Sequence, residues 1–190
     1  MNVIYSGTIP TLWAAWFLYW LAAAHGAKPD RRRESDWSRL SHGVPLVVAV
    51  ALLVLPDQAK SWMFARFMPP SIAGFWIGTA LLASGLGFAI WARRRLGRNW
   101  SGTVTVKQDH ELIQSGPYRF VRHPIYTGIL TGFLGTAIAL AEWRGLLAVL
   151  LATGAFLRKI AIEESWMREV FGERYTDYRR RVRALIPFIL

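Results

Sequence analysis

Five apolar stretches, at roughly 3–24, 43–56, 71–92, 125–141 and 145–162, dominate this chain and are set apart by charged connections. A helix needs about 20 apolar residues to cross a bilayer core, and the first and third stretches have that length. The pattern predicts an all-α integral membrane protein with about five transmembrane helices. The second stretch is short and carries Pro45, so it is either tilted or extended along the interface through Trp62–Met68. Only Glu142-Trp143-Arg144 separates the fourth from the fifth, which predicts a tight helical hairpin. After the fifth, Glu163–Arg183 reads as an amphipathic, charge-rich helix with Trp166, Met167, Val170, Phe171 and Tyr178 as apolar markers. The length suits one membrane-embedded domain over 1–190, with three spans in 1–92 and the polar motifs in 93–190.

Ten tryptophans fit the interfacial belts of a membrane protein better than a soluble core. A net charge of +11 is compatible with nucleic acid or with an anionic membrane surface. The spans decide between them: the expected partner is the lipid bilayer, and no nucleic acid. The absence of cysteine excludes disulfides, thiolate catalysis and cysteine-based metal sites. The N-terminal run ends near Ala22-Ala23-Ala24 like a signal peptide, but its basic residues follow it instead of preceding it. With Trp13, Trp16 and Trp20 and about 20 residues, it reads as a retained first span.

Basic residues set the expected orientation. The 26–42 loop, the 93–123 connection and the segment from Arg158 onward hold 20 of the 23, leaving Lys60, Arg66 and Arg144 for the opposite side. Five spans place those three segments on one side. The positive-inside rule then predicts an outside N-terminus and a cytoplasmic C-terminus. Small residues four apart (Gly74 and Gly78, Ala83 and Gly87, Gly128 and Gly132) are candidates for close helix packing in lipid.

Two ionisable clusters abut spans, where such groups are costly and tend to mark sites. The first runs from Ser115 to Tyr126. Gly116-Pro117 signals a turn, His123-Pro124 restrains the histidine backbone, and Pro124 is suited to open the fourth span. His123 and Tyr126 then flank a helix N-terminus, a seat for a carboxylate or a ring acceptor. The alternative is a capping turn whose Arg119 and Arg122 snorkel to headgroups. The second cluster is Arg158, Lys159, Glu163 and Glu164. Lys159 and Glu163 share a helix face; as an ordinary ion pair they would contribute a few tenths of a kcal/mol. At the end of a span they could instead hold a zwitterionic ligand. His110 alone reads as a solvated loop residue. The four histidines lack ligand spacing, so no metal is expected. No G-x-S-x-G, P-loop or G-x-G-x-x-G is present.

In order, Leu96-Gly97-Arg98-Asn99-Trp100-Ser101, His110-Glu111-Leu112-Ile113, Ser115-Gly116-Pro117-Tyr118, Arg122-His123-Pro124-Ile125-Tyr126, Glu163-Glu164, Phe171-Gly172-Glu173-Arg174-Tyr175 with Tyr178, and Ile186-Pro187 resemble one family. It is that of the integral-membrane isoprenylcysteine carboxyl methyltransferases and their phospholipid methyltransferase relatives. The resemblance covers about residues 95–188. It implies methyl transfer from S-adenosylmethionine, released as S-adenosylhomocysteine, to a lipid-linked, hydrophobic or prenylated small-molecule acceptor, foremost carboxyl methylation of a prenylcysteine-type substrate. By the resemblance, Val104, His110, Leu112, Ile113, Tyr118, His123, Pro124, Tyr126 and Glu163 surround the cofactor, and 93–190 is the catalytic half. Glu163, Lys159 and Arg158 are the candidate catalytic residues. The family commonly places an arginine four residues before the glutamate to hold an acceptor carboxylate; here Lys159 occupies that position, with Arg158 beside it. Lysine offers a point charge in place of a bidentate fork. Phospholipid N-methylation, an NADPH-dependent membrane reductase and a non-catalytic bundle are the alternative readings.

Overall fold

The structure is a computed structural model that describes residues 3–23, 30–54, 61–100, 105–107, 111–187 and 189. Its elements are α1 (Val3–Ala23), β1 (Asp30–Arg33), α2 (Asp36–Val54), α3 (Ile72–Leu96), β2 (Thr105–Lys107), α4 (Pro124–Leu140), α5 (Trp143–Phe171) and α6 (Glu173–Arg181). Among the described residues, three helices are long and apolar enough to cross a membrane: α2, α3 and α5. α4 is a shorter apolar helix of 17 residues, and α1 spans 21.

Three boundaries differ from the hydropathy reading. α2 begins at Asp36, not near 43, and Trp62–Phe64 is a separate 3-10 turn. The Ser35 hydroxyl accepts from the Ser38 amide at 3.3 Å, and Asp36 sits in the first turn, where a negative charge suits the helix dipole. Those polar opening turns hid the helix from an apolarity search. α5 runs unbroken through Glu163 and Glu164 to Phe171, ending where Gly172 turns to φ 54°. The expected amphipathic helix is therefore the end of α5 plus the short α6. The third difference is a strand pair, β1 with β2 antiparallel, which joins the two basic connections at one end of the bundle.

α3 and α4 form the tightest helix pair. A methyl group on Gly78 would strike the Gly135 carbonyl, and one on Gly85 the Gly128 carbonyl, so bare backbones are required at both crossings. The working spacing is thus seven on each helix. Of the residues expected from the four-residue pattern, Gly78 and Gly128 take part, Gly132 meets the Trp13 and Leu82 side chains, Gly74 meets only the Ser71 hydroxyl, and Gly87 has nothing within 4 Å.

α4 and α5 form the expected hairpin. Ala141, at φ 57°, ends α4 and sends its amide to the Ala137 carbonyl at 2.9 Å. α1 leans on this core through Trp13, whose indole N–H donates to the Thr136 hydroxyl at 3.0 Å. At the other end of α4, the chain after α6 passes beside the residues that precede the helix. The Arg122 and His123 amides donate to the Arg183 and Ala184 carbonyls at 2.8 and 3.0 Å, and the Thr127 hydroxyl to the Leu185 carbonyl at 2.8 Å. These bonds fix the position of His123 before any ligand is considered.

Candidate active site

Pro124 opens α4 with His123 as its N-terminal cap at φ −121°, ψ 60°, outside helical geometry. The fixed φ and absent N–H of proline suit that first helical position. His123 and Tyr126 project from this end with parallel rings, 5.6 Å between centroids. Tyr126 in turn stacks on Phe156 of α5 at 4.6 Å. Two turns further along α5, Glu163 meets both: the Tyr126 hydroxyl donates to Oε1 at 2.5 Å, and His123 Nδ1 lies 3.4 Å from Oε2.

Glu164 faces the other way and ties the same histidine to the C-terminal segment. His123 Nε2 is 3.2 Å from its Oε1, Arg122 reaches that oxygen at 2.6 Å, and Arg179 reaches Oε2 at 2.8 Å. Arg122 also donates to the Val182 carbonyl. Both ring nitrogens of His123 thus face carboxylates. Burial opposes the charged ring, but the hydrogen bonds and charges of Glu163 and Glu164 outweigh it and hold His123 above the ordinary histidine pKa. Below it, burial pushes the Tyr118 and Tyr178 phenols up, so both stay neutral donors; Tyr178 donates to the Tyr118 carbonyl at 2.5 Å.

These groups border one cavity of about 320 Å³, within the range of small-molecule and cofactor sites. Its polar wall holds His123, Tyr126, Lys159 and Glu163; its apolar wall holds Trp16, Leu46, Ile129 and Phe156. Leu112, Ile113, Tyr118 and Pro124 line it as well. Lys159 is buried, with its ammonium 5.4 Å from the Tyr126 ring centroid. Arg158 is exposed, bonds the Ser41 hydroxyl and does not line the cavity, so Lys159 is the cation the fold turns inward. Val104 and His110 lie outside the described residues. Among the described residues no cluster could hold a metal ion.

Two cavity residues escaped the sequence reading. Asn99 is 9% exposed and its Oδ1 has no hydrogen-bond partner in the protein; the buried Trp16 indole N–H is likewise unpartnered. Unsatisfied buried groups cost about 1–3 kcal/mol each, which a ligand's own donors and acceptors relieve. Asn99 was visible only as part of the Leu96–Ser101 resemblance. Trp16, which the sequence places simply within the first span, stacks on Trp20, which meets Trp100 edge to face, and all three line the cavity.

The phospholipid methyltransferase profile matches residues 73–174, more than half of the 190. The chain belongs to that family. Within it, a probable protein-S-isoprenylcysteine O-methyltransferase of Oryza sativa is 29% identical over 162 residues, covering 78% of this chain and 85% of the relative. A methanethiol S-methyltransferase of Mycobacterium tuberculosis is 31% identical over 157 residues, covering 75% and 62%. A solved eukaryotic intramembrane Ras methyltransferase, an isoprenylcysteine carboxyl methyltransferase, superposes with a TM-score of 0.57 at 27% identity. That match covers 80% of this chain but only 52% of the solved one, so the chain spans about half its length. The matched region of the phospholipid methyltransferase profile begins in α3, omits α1 and α2, and ends just inside α6.

Proposed function

We propose that this chain is an integral-membrane methyltransferase that uses S-adenosylmethionine and methylates the carboxylate of a prenylcysteine-type acceptor. The observation that carries the reading is the single cavity on which His123, Tyr126 and Glu163 converge with a buried Lys159 on the same wall. The residues fit such a donor. Asn99 Oδ1 is an acceptor waiting for an N–H or O–H, and Glu163 is a partly buried carboxylate on the cavity wall, suited to an ammonium. When bound, the sulfonium supplies an already activated methyl group, so a carboxylate acceptor needs no strong base.

The chain's own contribution is placement. Lys159 attracts an anionic headgroup, and the Leu46, Ile129 and Phe156 wall keeps water from competing. Holding two reactants in line converts much of the barrier into binding already achieved. His123, fixed by two carboxylates and the Ala184 carbonyl, keeps Glu163 and Tyr126 in register without taking a proton from the acceptor. The clustering of basic segments supports a cytoplasmic site, a cytoplasmic C-terminus and an outside N-terminus. The hydrophobic acceptor then arrives from the bilayer.

A thiol acceptor is the second reading, supported by the methanethiol methyltransferase relative and by Lys159 standing where a carboxylate-binding arginine is usual. One experiment addresses both. Purified protein in detergent is assayed for methyl transfer from labelled S-adenosylmethionine to prenylcysteine analogues, phosphatidylethanolamine and small thiols. Prenylcysteine should be preferred, and Glu163→Ala and His123→Ala should abolish donor binding. Transfer to thiols alone would replace the first reading with the second. Donor binding unchanged in both variants would refute the site.

A further inference from the structure

The segment before α3, which lies outside the matched region, buries a second ionisable pair. Glu34, between β1 and α2, has a side chain only 1% exposed, and that of His42 on α2 is 6% exposed. His42 Nε2 lies 3.5 Å from Glu34 Oε1, and the Ser38 hydroxyl donates to the other oxygen at 2.8 Å. His42 Nδ1 is buried without a hydrogen-bond partner. Taking a carboxylate out of water costs several kcal/mol, and helix packing alone gives no reason to do so here.

The register of α2 against α5 supplies a reason. Arg158 bonds the Ser41 hydroxyl at one end of the interface, and Arg144 donates to the Leu52 carbonyl at 3.1 Å at the other, so the helices run antiparallel. Ala49 packs with Ala148 and Ala152 between those points. Two helical turns from Ala49 and Ala152 toward the site lie His42 and Lys159. Lys159 lines the cavity, whereas Glu34 and His42 do not. By that register His42 and Lys159 come to the same level of the α2–α5 interface, and the pair stays outside the cavity lining.

We propose that Glu34 and His42 are positioning residues for Lys159, a buried anionic anchor that sets the direction of its ammonium toward the acceptor carboxylate. This rests on the reading of Lys159 as the acceptor's cation. An arginine orients itself through its planar fork; a lysine is a flexible point charge that needs a fixed field to choose one rotamer. Glu34, itself held by Ser38 and His42, supplies that field in an interior where Coulomb attraction is far less screened than in water. His42 keeps the carboxylate from turning away.

The test uses the full chain in detergent with N-acetyl-S-farnesylcysteine as acceptor. Glu34→Gln and His42→Gln should each raise the acceptor KM roughly tenfold, with kcat and the Kd for S-adenosylmethionine within about twofold of wild type. Lys159→Met should raise KM at least as much, and adding Glu34→Gln to it should change nothing further, because the anchor acts through the ammonium. Additive losses in the double variant, or an unchanged KM in both single variants, overturn the proposal. So does a parallel loss of donor affinity, the mark of a merely structural role. If Lys159→Met itself leaves KM unchanged while Glu163→Ala abolishes donor binding, the assignment of Lys159 falls and the anchor with it, but the cofactor site stands.

Discussion

The Tyr178 hydroxyl donates to the Tyr118 carbonyl at 2.5 Å across 60 residues of sequence, and this bond clamps α6 onto the turn that precedes the His123 motif. Both rings are buried, so no water replaces the donor when it is removed. Tyr178→Phe should cost about 1–2 kcal/mol of stability, the net bond plus an orphaned carbonyl. Thermal unfolding in detergent checks this; a variant that melts with wild type would show that the clamp is dispensable.

Glu164 should matter more for stability than Glu163, although the sequence motif singles out Glu163 alone. Glu164 holds Arg122, His123 and Arg179 together with a side chain only 7% exposed, whereas Glu163 faces the cavity. Breaking a buried network by removing one charge costs about 3 kcal/mol or more. Glu164→Gln should therefore lower the unfolding midpoint sharply, while Glu163→Gln should mainly impair donor binding. Equal melting of the two variants would contradict this division.

The fold was legible wherever apolarity alone decides it. α1, α3 and the α4–α5 hairpin stand close to their expected places because lipid-facing runs of the right length have few other solutions. α2 was misplaced because its first turns, Asp36 to His42, are polar; they rest on a serine cap and on burial against α5, which hydropathy does not register. Within the site, the residues carried by motif (His123, Tyr126, Glu163 and Lys159) do border one cavity. The places of Trp16 and of the buried Glu34–His42 pair are not legible in the sequence, and that of Asn99 only through a resemblance, because they depend on which segments meet and not on spacing within one helix.

The α3–α4 crossing separates glycines that look alike in sequence. Gly85 abuts the Gly128 carbonyl, and Gly87, two residues on, is exposed with open space beside it. Gly85→Val forces the backbones apart and should destabilise by about 3 kcal/mol or more, at the upper end of overpacking costs. Gly87→Ala should be neutral or slightly stabilising, since alanine is the better helix former. Unfolding midpoints of the pair in matched detergent provide the comparison, and similar losses at both positions would mean the crossing is not the constraint.

The pH dependence of stability should carry the signature of His123. Its pKa is raised on folding, so the folded state binds the proton more tightly than the unfolded chain does. The resulting stabilisation is fully present below the unfolded value of 6.5 and is lost as pH rises through the higher folded value. Chemical unfolding between pH 6 and pH 9 should show falling stability in wild type and a flatter profile in His123→Asn. A rise in stability over that window attributable to His123 would reverse the assignment of its partners.

Asn99 offers a test in which stability and binding should part company. Its Oδ1 is buried at the cavity with no partner in the protein, so losing that atom removes a penalty from the unliganded fold. Asn99→Leu should leave the unfolding midpoint unchanged or slightly raised. The same change deprives a bound donor of its hydrogen-bond acceptor and should weaken S-adenosylhomocysteine binding roughly tenfold, about 1.4 kcal/mol. Asn99→Asp, which keeps an acceptor oxygen there, should bind more tightly than the leucine variant. Calorimetric titration measures the affinities, and if Asn99→Leu binds as wild type does, the orphaned oxygen faces no ligand.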